Sequence, residues 1–339
     1  MSASIQSQRN LSIETLRGIA ILLVVMGHVI GSAPDGGMKI DFPSPWRYLY
    51  SWIDYIQMPL FTAIAGWVYA LRPIREGSFS SFTFKKVKRL LIPMATVGTL
   101  YFMVQYLVPE TNNKGTLTDI WRIYVFPYSI YWYLPSLFLI FLAMATADLK
   151  GWTKTFRGWA LFLISSYLFY LLQHEFISGK LPNFFSFQGA LDQLPYFVAG
   201  VGIQRFNKQI FTPSLIKKVY LPMSIIGIVI LQIKWFYPTS IADFYVDLLP
   251  LWIIAALFLL LHQTFQNRFF VWIGGYAYGI YLFHGFGTSG GRIILSYLHI
   301  HNELCVFLFA FVLATSCSII ACKVAKQCRI TRLLFLGEK

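Results

Sequence analysis

Two ionisable residues, Arg17 and His28, interrupt one long apolar stretch near the start of the 339-residue chain. They are eleven residues apart, so at about 100° per residue a helix places both on one stripe, about 16 Å apart along its axis. An imidazole exchanges protons near neutral pH, and a guanidinium binds anions. Ionisable groups in a membrane span are costly and must face a cavity or a partner, so they mark function. The pair therefore predicts a reaction channel along one side of the first helix.

Each member of the pair also has a simpler interpretation. Arg17 can be a topological anchor that extends toward the interface, and Glu14, three residues earlier, is placed to form an ion pair with it. His28 can make a structural hydrogen bond between helices. Neither interpretation explains why the two residues share a stripe, so the reaction channel is the leading hypothesis.

A second basic feature follows the predicted second span. Six cations and a single acidic residue, Glu76, lie within residues 72–89. Guanidinium groups bind phosphate oxygens through paired hydrogen bonds, and ammonium groups add positive charge. The segment therefore suits a polyphosphorylated cytosolic ligand such as coenzyme A, and the alternative is a topological signal that contacts lipid head groups. The cations expected to bind the ligand are Arg72, Arg75, Lys86 and Arg89.

Two aromatic segments add candidate substrate contacts. Trp132 and Tyr133 begin the predicted fourth span at the outer interface, where such residues usually anchor helices but can also stack on sugar rings. His284 lies in a tyrosine- and glycine-rich part of the predicted ninth span, which runs in the same direction as the first. The glycines permit close helix approach, so His284 can lie near His28 and orient it, contact a sugar or satisfy a helix contact. Asp54, near the outer end of the second span, is a further candidate that can also fix the imidazole.

Composition determines the class of protein that holds these residues. The chain is 57% hydrophobic and 18% aromatic, and only 12% of its residues are charged. This is too little polar surface for a soluble globule of this length, so we expect an all-α, polytopic membrane protein. At roughly 17 to 25 residues per span, the apolar runs provide about ten transmembrane helices. We place them near residues 12–31, 50–71, 90–108, 130–147, 158–173, 188–204, 219–237, 244–262, 270–288 and 303–322.

The distribution of charge tests this topology, because Lys and Arg accumulate on the cytoplasmic side of short loops. With a cytoplasmic N-terminus, the 28 Lys and Arg residues fall mostly in segments predicted to be inner. We therefore expect both termini in the cytoplasm. The net charge of +14 then reflects topology, with membrane lipids or an anionic ligand as partners and no nucleic acid.

The chain is predicted to be one domain, residues 1–339. It begins with a short polar segment, 1–10, without a cleavable secretion signal, and ends with a basic tail, 323–339. The four cysteines lack the paired spacing of a zinc site, so we expect packing roles for them and no metal.

Four segments, taken in order, carry a family resemblance. They are the spacing that joins Arg17 to His28, Met-Pro-Leu-Phe through Ala-Gly-Trp at 58–67, the doublet of Arg72 and Arg75, and the tyrosine-rich run that ends at His284. In this order, and with ten spans, they resemble the integral-membrane acyltransferase 3 family over essentially the whole chain.

The resemblance implies an activity. Members of that family transfer an acyl group, usually acetyl, from cytosolic acyl-CoA to a carbohydrate hydroxyl at the far side of the membrane. His28 would be the catalytic histidine, Arg17 its essential partner, and Arg72 and Arg75 part of a donor-binding motif. Residues 64–67, Ile-Ala-Gly-Trp, depart from the Phe-Ser-Gly-Phe often found there, so any hydroxyl role at that position is absent or relocated. The implied protein is an O-acetyltransferase of the plasma (inner) membrane that modifies polysaccharide, with acetyl-CoA as co-substrate and a carbohydrate as acceptor.

Two other functions stay open on the sequence. Ten spans with buried charges also suit a carrier or flippase for a lipid-linked sugar, although no inverted internal repeat is evident. The chain can also be a non-enzymatic partner of a polysaccharide machine, in which case replacing His28 would do little.

Overall fold

A computed structural model describes residues 10–112, 114–238, 246, 249–261 and 265–338, and this part of the chain is helical without strands. The longer helices are α1 (Leu11–Ile30), α2 (Pro45–Leu71), α3 (Phe79–Lys86), α4 (Ile92–Leu107), α5 (Tyr133–Leu149), α6 (Phe156–Phe176), α7 (Phe187–Arg205), α8 (Leu221–Phe236), α9 (Leu249–Leu261), α10 (Arg268–Tyr297), α11 (Glu303–Ala325) and α12 (Arg329–Leu336). Short helical turns at Val87–Leu91, Leu117–Asp119, Arg122–Val125, Ser129–Trp132, Phe184–Ser186, Asn207–Ile210, Pro213–Leu215 and Ile216–Tyr220 lie between them.

Five helical stretches in the described residues are long and apolar enough to cross a bilayer: Leu11–Ile30, Phe79–Leu107, Leu117–Leu149, Pro213–Phe236 and Glu303–Ala325. The prediction of an all-helical chain with membrane-spanning helices is thus confirmed. The count of ten crossings and the cytoplasmic position of both termini stay predictions. Most of the polar segment 1–10 and part of the predicted span 244–262 lie outside the described residues. The predicted basic tail includes a short helix, α12.

Local sequence signals explain where α1, α2 and α10 begin. The side chains of Asn10 and Asn267 accept hydrogen bonds from backbone N–H groups in the first turns of α1 and α10. Ser44 caps α2 in the same way and is followed by Pro45, which lacks an N–H and suits the first turn. The caps therefore set the positions along each helix of the residues that the site uses.

Helices α1 and α10 run in the same direction, as predicted, and pack backbone against backbone. A Cβ at Gly18 would lie 2.0 Å from the carbonyl oxygen of Phe270, and a Cβ at Gly274 would lie 2.3 Å from that of Glu14. Only glycine permits this approach at both contacts. The predicted role of glycines in bringing these two helices together is thus confirmed.

Close backbone contact at glycines also joins two further helix pairs. Gly66 of α2 faces the carbonyl of Phe197 in α7, and Gly200 of α7 faces that of Ala63 in α2. Gly287 of α10 lies against Ala314 of α11, where a Cβ would come within 2.3 Å of the Ala314 Cα. The helices around α1 are therefore fixed by small residues at defined positions.

A pair of substitutions on α10 isolates this packing. Gly287→Ala places a Cβ against the α11 backbone, whereas nothing described lies within 4 Å of a Cβ at Gly290. Both variants gain the same helix propensity, so we expect Gly287→Ala to be less stable than Gly290→Ala by about 1–3 kcal/mol, the usual cost of overpacking. Unfolding by SDS titration of the purified proteins measures the difference. Equal stability of the two variants would contradict the tight α10–α11 contact.

Candidate active site at the boundary of two cavities

A polar cavity of about 430 Å³ lies at the end of α1 that is predicted to face outward, and we call it the outer cavity. Its walls combine carboxylate, amide, hydroxyl, guanidinium and imidazole groups with an indole and a few apolar residues. Such a lining suits a small ligand that is rich in hydroxyl groups. The polar residues of the lining include His28, Asp35, Tyr50, Asp54, Gln57, Gln105, Ser129, Trp132, Thr288, Ser289 and Arg292.

His28 lies half-buried in the wall of the outer cavity. Neither of its ring nitrogens has a hydrogen-bond partner among the described residues, so the imidazole is available to a ligand. Its ring centroid lies 5.0 Å from that of His284, with the two planes 41° apart. The prediction that His284 lies near His28 is therefore confirmed.

His284 is fully buried and lines neither the outer cavity nor the inner cavity described below. Its Nδ1 lies 3.0 Å and 2.8 Å from the carbonyl oxygens of Ile280 and Tyr281. Because carbonyls only accept, Nδ1 carries the proton and Nε2 is left as an acceptor. Nε2 has no hydrogen-bond partner in the described part of the chain. His284 therefore lies beside His28 and does not line the outer cavity, and its contact with a sugar stays a prediction.

Asp54 lines the outer cavity, as a substrate contact requires. Its carboxylate accepts hydrogen bonds from the Tyr50 hydroxyl at 3.0 Å and from the Gln57 amide at 2.9 Å. These partners hold Asp54 on the cavity wall. The alternative that Asp54 fixes the His28 imidazole finds no contact in the structure, and His284 occupies the place beside His28 instead.

Arg47 is a structural residue of the outer cavity that sequence reasoning missed. Its side chain is 0% exposed and donates to the carbonyls of Gly31 at 2.5 Å, Ala33 at 2.6 Å and Ile40 at 2.5 and 2.8 Å. These carbonyls belong to the loop between α1 and α2, which forms one wall of the cavity. A cation in the first turn of a helix opposes the helix dipole, and this unfavourable placement was the available signal.

A second cavity of about 430 Å³, the inner cavity, lies along the half of α1 that carries Arg17. Four cations line it at one end: Arg17, Arg72, Lys86 and Arg89. Its remaining walls are mainly apolar and aromatic, and include Phe61, Ile64, Ala65, Val68, Leu134, Leu137, Phe141 and Ala277. The inner cavity therefore suits a ligand with an anionic end and a less polar arm.

The cations of the inner cavity continue into a basic vestibule of about 510 Å³ formed by residues 72–89. Arg72, Lys86 and Arg89 line both spaces, whereas Arg75 lines the vestibule alone. The four cations grouped on the sequence are thus brought together in space. This arrangement concentrates positive charge around one entrance.

Arg17 is held by two helices at the inner cavity. Its Nη2 pairs with the Glu14 carboxylate at 2.5 Å, and its Nε donates to the carbonyl of Gly274 at 3.1 Å. The predicted ion pair with Glu14 is confirmed. Since the guanidinium lines the cavity and bonds to α10, it is more than a lipid-facing anchor.

The C-terminal helix α12 closes over one of the cations. Arg89 donates to the Leu336 carbonyl at 2.7 Å, pairs with Glu338 at 2.8 Å, and lies over the Tyr278 ring, 4.2 Å from its centroid. Lys86 lies over the Phe141 ring at 3.3 Å. Arg89 is therefore held by the C-terminal segment and an aromatic ring, and Lys86 lies against an aromatic ring.

Tyr69, another residue of the inner wall, is anchored by a buried ion pair. Its hydroxyl donates to Asp148 at 2.8 Å, and Asp148 accepts two hydrogen bonds of 2.7 Å from Arg205. This network ties α2, α5 and α7 together, so the inner wall is rigid where it meets the vestibule.

Tyr281 lines both the outer and the inner cavity and is the boundary between them. Its fully buried ring stacks on Phe61 with centroids 6.2 Å apart, and Tyr133 lies edge-on at 5.8 Å. The Tyr281 hydroxyl donates to the carbonyl of Ile130. The single passage expected from the sequence is therefore two cavities that meet at one aromatic ring, with His28 on one side and Arg17 on the other.

The adjacent residues Trp132 and Tyr133 line different cavities. Trp132 lines the outer cavity, in agreement with the predicted substrate contact. Tyr133 is buried, accepts a hydrogen bond from the Thr62 hydroxyl at 3.0 Å and lines the inner cavity. The turn at Ser129–Trp132 passes into α5 here, so the two side chains line different cavities, and the predicted contact of Tyr133 with a substrate stays a prediction.

Comparison with known proteins matches the chain to one protein family. The acyltransferase 3 family model, described as an acyltransferase domain, matches residues 10–323. Nodulation protein NolL of Mesorhizobium japonicum is 26% identical over 162 residues, which cover 47% of this chain and 40% of that protein. The chain thus aligns with less than half the length of this relative. No solved structure matches the chain.

Replacing Arg47 tests the wall of the outer cavity. Arg47→Met removes the donors to three carbonyls, and each unpaired group costs about 1–3 kcal/mol. We expect backbone amides at 31–44 to lose protection from hydrogen exchange, measured by mass spectrometry in detergent. Arg122→Met is the matched control, because the Arg122 side chain is 59% exposed. We expect hydrogen exchange at residues 31–44 to be unchanged in this variant. Unaltered exchange in Arg47→Met would show that the arginine does not support the loop.

Proposed function

The chain belongs to the acyltransferase 3 family, and we propose that it moves an acyl group, in the first instance acetyl, from cytosolic acyl-CoA to a hydroxyl of a cell-surface or lipid-linked carbohydrate. In this proposal it is a multi-pass O-acetyltransferase of the plasma (inner) membrane. One observation carries the proposal: Tyr281 lines both a polar cavity that contains His28 and an apolar, cation-ended cavity that contains Arg17. Two dissimilar substrates can therefore meet at one point.

The inner cavity and the vestibule match the chemistry of acyl-CoA. Phosphate groups pair with guanidinium and ammonium groups, which Arg72, Arg75, Lys86 and Arg89 supply around the entrance. The pantetheine arm and acyl group then extend along the apolar walls toward Tyr281. Arg17, fixed by Glu14 and Gly274, lies beside this path and holds the polar part of the arm in register.

The outer cavity matches a carbohydrate acceptor. Asp54 and other polar groups of its lining accept and donate hydrogen bonds to hydroxyls, and Trp132 offers an aromatic face. A sugar hydroxyl placed against His28 lies on the outer side of the Tyr281 ring. The acceptor thus approaches the thioester from the opposite side to the donor.

His28 is the general base of the proposed reaction. Its neutral imidazole takes the proton of the sugar hydroxyl while that oxygen forms a bond to the thioester carbon, and the carbon–sulfur bond then breaks. The departing thiolate takes the proton back from His28, so coenzyme A leaves as the thiol. In the proposed reaction the rings of His28 and His284, whose centroids lie 5.0 Å apart, move closer, so that the unpartnered Nε2 of His284 accepts a hydrogen bond from the other ring nitrogen of His28 and orients it.

Transfer of label tests the function and the role of His28 together. Purified protein in nanodiscs, given acetyl-CoA labelled in the acetyl group and a carbohydrate acceptor, should place label on the carbohydrate. We expect His28→Ala and His28→Gln to lower the rate by about 10²–10⁴, the usual contribution of general base catalysis. His301→Gln is the control, since this exposed histidine lies outside both cavities.

The other outcomes have distinct meanings. Near wild-type transfer by either His28 variant would remove His28 from the mechanism. Movement of a lipid-linked sugar across the bilayer without label transfer would indicate a carrier, and neither activity would indicate an accessory component.

Arg72→Gln tests the donor site. Loss of one charge-assisted hydrogen bond costs about 1.5–3 kcal/mol, so we expect the KM for acetyl-CoA to rise roughly 10- to 100-fold. S-acetylpantetheine lacks the nucleotide and should be used equally well by the variant and the wild type. Arg157→Gln, at an exposed arginine outside the vestibule, is the control. An equal loss with both donors would show that Arg72 supports the fold and does not bind phosphate.

A further inference from the structure

A smaller cavity of about 220 Å³, which we call the side cavity, lies beside the outer cavity between α2, α6 and α7. It is separate from the inner cavity, and the proposed reaction does not use it. Its lining residues from α6 and α7 include Tyr170, His174, Asp192, Gln193 and Tyr196. The side cavity therefore brings polar groups from two further helices close to the proposed acceptor site.

The outer and side cavities share one wall. Asp54, Met58 and Trp132 line both spaces. Asp54 and Met58 are one helical turn apart on α2, and Trp132 faces them from the turn before α5. These three side chains thus form the boundary that the two cavities share.

Glycine determines where the Trp132 ring lies in this wall. A Cβ at Gly189 of α7 would lie 2.8 Å from two carbon atoms of the indole. The indole therefore packs against a glycine of α7, where any larger residue would displace it. This gives the shared wall an aromatic face at a fixed position.

The polar groups of the side cavity favour an uncharged, hydroxyl-bearing ring. Asp54 and Asp192 contribute carboxylates, which accept hydrogen bonds from hydroxyls and repel anionic groups. His174 lies with its Nδ1 3.7 Å from the Asp192 carboxylate, and its ring is 4.4 Å from that of Tyr170. Aromatic faces and carboxyl groups together are the groups that hold a sugar ring, whereas a uronic acid or phosphate would face two acidic side chains.

The volume of the side cavity suits one part of a ligand and is small for a whole ligand. Pockets that hold a whole small ligand are about 300–1,000 Å³. At about 220 Å³ the side cavity falls below this range, and the adjoining outer cavity, at about 430 Å³, lies within it. A ligand with one part in each cavity accounts for both sizes.

We infer that the side cavity is a second acceptor subsite, which holds an uncharged sugar ring next to the sugar that is acylated over His28. This inference rests on the proposed function and adds that the acceptor is at least a disaccharide. Asp54 and Trp132 then contact both sugars, because they form the wall between them.

Binding measured without any acyl donor tests the subsite separately from the reaction. We would titrate the protein in nanodiscs with glucose and cellobiose, and with N-acetylglucosamine and chitobiose. In at least one pair the disaccharide should bind tenfold or more tightly than the monosaccharide. Equal affinity within both pairs, or binding by neither member, would overturn the second subsite.

Two variants locate the effect in the side cavity. Asp192→Asn keeps the side-chain shape and removes the charge, and Gly189→Ala displaces the Trp132 ring. Each should reduce the disaccharide advantage to less than threefold, while Asp119→Asn, a half-exposed carboxylate outside both cavities, keeps it. If the advantage persists in Asp192→Asn and Gly189→Ala, the second sugar binds elsewhere.

The two proposals fail in different ways. If the disaccharide binds more tightly than the monosaccharide but no acetyl group is transferred, the subsite is supported and the enzymatic function is overturned. Acetyl transfer with no disaccharide advantage would support the enzymatic function and overturn the second subsite.

Discussion

Direct backbone contact between α1 and α10 fixes the geometry of the candidate site. Gly18 and Gly274 leave no side chain between the two helices, so the carbonyls of Phe270 and Glu14 lie where a Cβ would otherwise be. The same contact brings the carbonyl of Gly274 to the Arg17 guanidinium and the ring of His284 to within 5.0 Å of His28. Glycine lowers helix propensity, and close packing offsets this cost. One helix pair thus positions both the inner cation and the outer imidazole.

The two cavities differ in the polarity of their linings, and an aromatic layer lies between them. Tyr281, Phe61 and Tyr133 form this layer, and only Tyr281 reaches both spaces. In the proposed reaction the layer keeps the thioester away from water until a sugar occupies the outer cavity, since water entering the site would hydrolyse the donor. The buried Arg47 supports the outer cavity, because it holds the loop that forms one of its walls.

Much of the site was predictable because its residues lie close in sequence or on a regular helix. The stripe of Arg17 and His28, the Glu14 ion pair and the cluster of cations at 72–89 all follow from helical periodicity or adjacency. The pairing of His284 with His28 followed from helix direction and the glycines. The helical class of the chain followed from composition.

Features that depend on tertiary contacts were not predictable in this way. The partners of Arg47 are backbone carbonyls, which leave no trace in residue types. Tyr133 and Trp132 are adjacent, yet a short turn passes into a helix between them and separates their side chains. The side cavity needs α7 to lie against both α2 and α6, so no local pattern could indicate it.

In the proposed reaction, donor and acceptor meet at Tyr281 from two cavities. Electron cryomicroscopy of the protein with a non-hydrolysable acetyl-CoA analogue tests it most directly. We expect phosphates against Arg72 and Arg89 and an acetyl group beside Tyr281 on the way to His28. An analogue bound away from the inner cavity, or one whose acetyl group lies far from Tyr281, would contradict it.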